Sequence, residues 1–150
     1  MGLSYSSQGS VDLLGSAASV KTLTGSYTTD GTNDASLAVG GMSQVVLYIG
    51  YTMGTAETGN SLQLKIAFSP DSDTSASSRW FREVTSAISS GTVTLSLGEY
   101  TFTATGAAGT YDYIRLTVPV CDAIMRVSVK ETGIATNGGK VFIKALAGGA

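Results

Sequence analysis

Four glutamates, Glu57, Glu83, Glu99 and Glu131, are the residues of this 150-residue chain whose type suits chemistry most directly. Two carboxylates about 5–10 Å apart can share the acid, base and nucleophile roles of glycoside hydrolysis. These four fall on different strands or loops, so solvated surface charge is the expectation for each. A Ser or Thr nucleophile needs an adjacent base; the chain has no histidine, and none of Lys21, Lys65, Lys130, Lys140 and Lys144 stands in a Ser-x-x-Lys setting. Asp71-Ser72-Asp73 has the opening of a calcium loop but lacks the third acidic ligand, the glycine at loop position six and the closing glutamate. Cys121 is the single cysteine, too few for an intramolecular disulfide or a thiolate metal site, and reads as a small buried apolar residue beside Val120. No catalytic residue, cofactor or metal is therefore expected, and the chain is not read as an enzyme.

Behind these residues stands an alternation with the period of a half-buried strand. In Leu62-Gln63-Leu64-Lys65-Ile66-Ala67-Phe68 every second side chain is large and apolar. The same pattern recurs about eight times between turn signals: Ser43 to Met53, Val93 to Ala104 with a bend at Gly98, Tyr111 to Val118, Met125 to Lys130 and Lys140 to Leu146 are the clearest. Abundant Gly, Ser and Thr with two prolines suit short strands and tight turns rather than helices. The pattern predicts an all-β protein, a single antiparallel β-sandwich or jelly roll of about eight strands over residues 21–150. Residues 1–20, rich in Gly, Ser and Ala with Val11, Leu13 and Leu14 as apolar anchors, read as an extended N-terminal arm. The expected core is Leu47, Ile49, Leu64, Ile66, Phe68, Leu95, Phe102, Leu116, Val127, Val129, Val141 and Ile143. Trp80 beside Phe81 suits either a ligand-stacking platform or a central core filler, and the second is expected.

A formal charge of −2, with 13% charged residues, supplies no basic field for a phosphate backbone, so nucleic acid is not expected as a partner. No apolar stretch approaches the roughly 20 residues of a membrane-spanning helix, and no secretion or membrane anchor is expected. Apolar residues on both faces of Ser43 to Met53 exceed what one sheet core uses, which predicts self-association. Contacts are expected from Val11, Leu13, Leu14, Val46, Tyr48, Tyr51, Tyr111 and Tyr113.

The run Val45-Val46-Leu47-Tyr48-Ile49-Gly50-Tyr51-Thr52, then Leu62 to Asp71 and Trp80-Phe81, followed by Glu99 to Gly106 and Ile124 to Lys130, resembles small β-sandwich virion proteins encoded among tailed-phage structural genes. The likeness covers roughly residues 43–146 and lies in framework positions. It implies a capsid decoration (cement) protein, commonly a homotrimer, that binds the major capsid protein on the virion's outer surface and stabilises the lattice. A carbohydrate- or receptor-binding β-module on a tail or fibre is the alternative.

Overall fold

A computed structural model describes residues 10–28, 36–70, 80–120 and 122–148, and among them there are twelve strands and no helix. The strands are β1 (Val11–Leu14), β2 (Lys21–Thr22), β3 (Ser36–Ala38), β4 (Gln44–Thr52), β5 (Ser61–Ser69), β6 (Phe81–Arg82), β7 (Val84–Ser89), β8 (Thr92–Leu97), β9 (Tyr100–Thr103), β10 (Asp112–Pro119), β11 (Ile124–Thr132) and β12 (Lys140–Gly148). Ten of them form two antiparallel sheets, β1-β12-β4-β10 with β2 also on β12, and β3-β11-β5-β6 with β9 also on β5. β1 and β2 follow one another along one edge of β12, and β9 and β6 do the same along β5. Each pair is one interrupted edge strand. Counted so, eight strands lie in the orders 1-8-3-6 and 2-7-4-5, the strand order of a jelly roll, and the all-β sandwich expected from the periodicity is the fold.

The inner rows of the two sheets make one core. On β5 the alternation is carried through, with Leu62, Leu64, Ile66 and Phe68 buried against Met125, Val127 and Val129 of β11 and the inner faces of β4 and β12. β4 lies centrally between β12 and β10, and apart from Gln44 and Tyr48 its residues are buried on both faces, in keeping with its two-sided apolar character. On the outer face Phe142 lies flat over Gly50, where a Cβ would stand 2.2 Å from the ring. Any larger residue there would have to displace the Phe142 ring.

Three expectations need correction. Leu95 is not core: it is 67% exposed on β8, because β8 has left the sandwich. Val93 to Ala104 is accordingly not one bent strand, since Gly98 and Glu99 separate β8 from β9. Trp80 is half-buried, with the Arg126 guanidinium 5.6 Å from its ring centre rather than a place in the core. Phe102 and Leu116 pack against the core but remain partly exposed. Within the expected arm, Val11–Leu14 is an edge strand on β12, and Leu13 and Leu14 are buried in the core. Residues 1–9, the Asp71-Ser72-Asp73 loop and Cys121 lie outside the described residues.

Candidate interaction surfaces and a buried carboxylate pair

Between β6, paired to Ala67 and Phe68, and β9, paired from Leu64 back to Ser61, the chain leaves the edge of β5 and makes a separate two-stranded hairpin. Its root is fastened. The Gly98 N–H donates to the Glu83 carbonyl at 2.9 Å, and Arg82 reaches Glu99 at 3.7 Å. Its tip is the two-residue loop Ser90-Gly91, both with positive φ (50° and 77°), the type I′ geometry that matches strand twist. The register pairs Val84 with Leu97, Ser86 with Leu95 and Ile88 with Val93, so one face is five aliphatic side chains and one serine. The other face is Thr85, Ala87, Ser89, Thr92, Thr94 and Ser96.

This is the pattern of a half-buried sheet, yet all twelve residues are exposed, Ile88 at 77%, and apart from each other the two strands pack substantially on no strand among the described residues. A groove of about 380 Å³ at the root, floored by Ile66, Phe68 and Val118, marks where the hairpin departs from the sandwich.

A second surface lies on the outer face of the sheet containing β4. Tyr111 stacks on Tyr113 with centroids 6.2 Å apart and meets Phe142 at 6.1 Å. Tyr113 is 79% exposed. Tyr113 and Phe142, with Tyr48 and Arg115, border a shallow depression of about 170 Å³. Of the residues expected to make contacts, Tyr48, Tyr111 and Tyr113 thus come together on this face, and Val11 is exposed at the β12 edge. Leu13, Leu14, Val46 and Tyr51 are buried.

The sequence reading of Glu57 and Glu131 as surface charges needs correction: both are buried, and Asn60 bridges them. Asn60 Nδ2 donates to Glu57 Oε2 at 3.2 Å and to Glu131 Oε1 at 3.0 Å. Glu57 also accepts the backbone N–H groups of Ala135, Thr136 and Asn137 at 2.7–2.8 Å. Glu131 accepts from the Tyr51 hydroxyl at 2.9 Å and the Gly139 N–H at 2.5 Å. A Cβ at position 139 would stand 2.3 Å from the Thr52 carbonyl oxygen, so glycine permits this approach. Every carboxylate oxygen is taken by a protein donor, and the pair fastens the β11–β12 connection over the end of the sandwich. That arrangement suits structure rather than proton transfer, which needs an oxygen open to substrate.

The three backbone N–H donors of Ala135, Asn137 and Thr136 hold the Glu57 carboxyl down at about 2. Asp112 is also lowered, first by the Thr105 hydroxyl that donates to it. A depressed carboxylate stabilises the fold fully above its ordinary value, 4.5 for Glu57, and that contribution is lost as pH falls towards about 2. Thermal melts should therefore be flat from neutrality to about pH 5 and drop steeply below it. Glu57→Gln should melt lower at neutral pH and show a shallower acid limb. An acid limb unchanged in Glu57→Gln would show that other groups control it.

The hairpin was legible in part. Ser90-Gly91 between Val84/Ser86/Ile88 and Val93/Leu95/Leu97 is a two-residue hairpin signal. Nothing local signals the carboxylate pair, whose members lie far apart in the chain, Glu57 on the β4–β5 connection and Glu131 on β11. Compared with protein-family models, curated proteins and solved structures, the chain matches none.

Proposed function

We propose that this protein is a structural virion component that binds the outer surface of a phage capsid as a decoration protein and stabilises the lattice. It works by burying surface rather than by chemistry. The observation that carries this reading is the β7–β8 hairpin, a separate apolar-faced element projecting from a sandwich that already has its own core. A two-stranded hairpin is marginal in water alone, so this one is built to be covered. The framework resemblance supplies the setting. The jelly-roll order is compatible with it, but that fold also carries lectins and cupins and selects no function alone. Several weak contacts made by one oligomer then act as a single strong attachment, because each contact after the first is intramolecular.

A second reading, a carbohydrate-binding module on a tail or fibre, is favoured by the cluster of exposed Tyr113 with half-buried Tyr111 and Phe142, since aromatic rings at a surface stack on sugar faces. Co-sedimentation with capsids of its phage assembled without this protein separates the two. The decoration reading expects saturable co-pelleting that Tyr113→Ala leaves intact. A protein that stays in the supernatant, but binds immobilised glycans in a manner abolished by Tyr113→Ala, would overturn it.

A further inference from the structure

We infer that the apolar face of the β7–β8 hairpin is covered by the same face of a second copy of this chain. The inference rests on the structural reading above and names the partner of that surface. Val84, Ile88, Val93, Leu95 and Leu97 are each more than half exposed. Together they present on the order of 500 Å² of apolar surface, the size of the largest patches on stable monomers. That is most of the roughly 800 Å² each partner gives to a standard interface. Copies of the chain are the partner present before any capsid is met.

The face also complements itself. From Val84 to Gly98 there is no charged residue, so two such faces approach without repulsion. A second hairpin laid on the first with β7 over β8 sets each Leu95 above the other copy's Ser86, a large side chain over a small one. Val84 then faces Leu97, and Ile88 faces Val93. The hydroxyl-bearing faces, Thr85, Ser89, Thr92, Thr94 and Ser96, remain outside in water. The result is a small two-layer sandwich with sheets about 10 Å apart. An acidic or phosphate-bearing surface would find no countercharge on this face, and the residues outside the described set add only Met1, Leu3 and Tyr5 as large apolar side chains.

The test is the mass of the full chain in solution, by light scattering and sedimentation, without capsids. The wild-type chain should have at least twice its 15.3 kDa. Leu95→Asp should fall to a monomer while keeping the wild-type β-sheet circular dichroism, and Thr94→Asp, on the hydroxyl face, should keep the assembled mass. A second variant guards against misfolding: residues 84–97 replaced by two glycines across the Glu83–Gly98 hydrogen bond should also be monomeric and folded. The inference is overturned by a wild-type monomer at high concentration, by assembly that survives both Leu95→Asp and the excision, or by equal dissociation in Thr94→Asp. A wild-type monomer that loses capsid binding on Leu95→Asp would assign the face to the lattice, leaving the decoration reading intact. One that instead floats with phosphatidylcholine vesicles would assign it to lipid. Assembly without capsid binding would sink the decoration reading and leave this one standing.

Discussion

Replacing Glu131 by alanine should destabilise the protein by about 3–5 kcal/mol, because it strands several donors at once, each costing about 1–3 kcal/mol when left unpaired in the interior. The Tyr51 hydroxyl, the Gly139 N–H and one Asn60 N–H all lose their acceptor, and Glu131 is 1% exposed, so water does not readily replace it. Burial and the bond to Glu131 already push the Tyr51 phenol far above its ordinary value, so it stays protonated and keeps needing an acceptor. For a domain of this size the loss is a large part of the total and corresponds to a melting point lower by about 10 °C or more. Tyr51→Phe, which removes one donor and leaves the carboxylate two others, should cost only about 1–2 kcal/mol. Chemical denaturation of the three proteins checks both figures. A Glu131→Ala midpoint equal to wild type would mean that the β11–β12 connection is held by something other than this pair.

Leu47→Ala should cost about 2–5 kcal/mol as a buried cavity, whereas Leu95→Ala should change unfolding of the sandwich by less than about 0.5 kcal/mol. Leu47 is fully buried on β4, facing Ala145 and Leu116 across its two strand neighbours. Leu95 is a residue of the same type in a strand of the same period, but it touches no core. Leu116 belongs between them, being packed on the core yet partly open. Denaturation of dilute protein, where assembly is disfavoured, reads these values. Comparable losses for Leu47→Ala and Leu95→Ala would show that the hairpin folds back onto the sandwich.

The proposed decoration role and the proposed homotypic contact would draw on different parts of one molecule. The sandwich supplies a rigid body whose edge strands are made poor templates by interruption: β1 and β2 on β12, β6 and β9 on β5. Of the two remaining edges, β3 is only three residues long, and β10 ends at Pro119 and carries Arg115 at its centre, all unfavourable to adding a strand. Among the described residues, every exposed large aliphatic side chain except Val11 lies on the hairpin.

The amino-acid sequence by itself determined that this chain is made of strands, and which residues of each strand share a side. Leu62, Leu64, Ile66 and Phe68 fall on one face because the pleat of an extended backbone has a period of two, a local property that neighbours in the chain suffice to set. The same rule put Val93, Leu95 and Leu97 on one face of β8, and that is correct as well. What the rule cannot contain is what lies opposite. Leu64 meets the other sheet and Leu95 meets solvent, because coverage depends on where a strand is placed relative to segments far away in the chain. Glu57 and Glu131 show the converse: as isolated letters they read as surface charge, and only tertiary folding brings the Ala135 to Asn137 N–H groups, Asn60, Tyr51 and Gly139 around them to replace the water they lose.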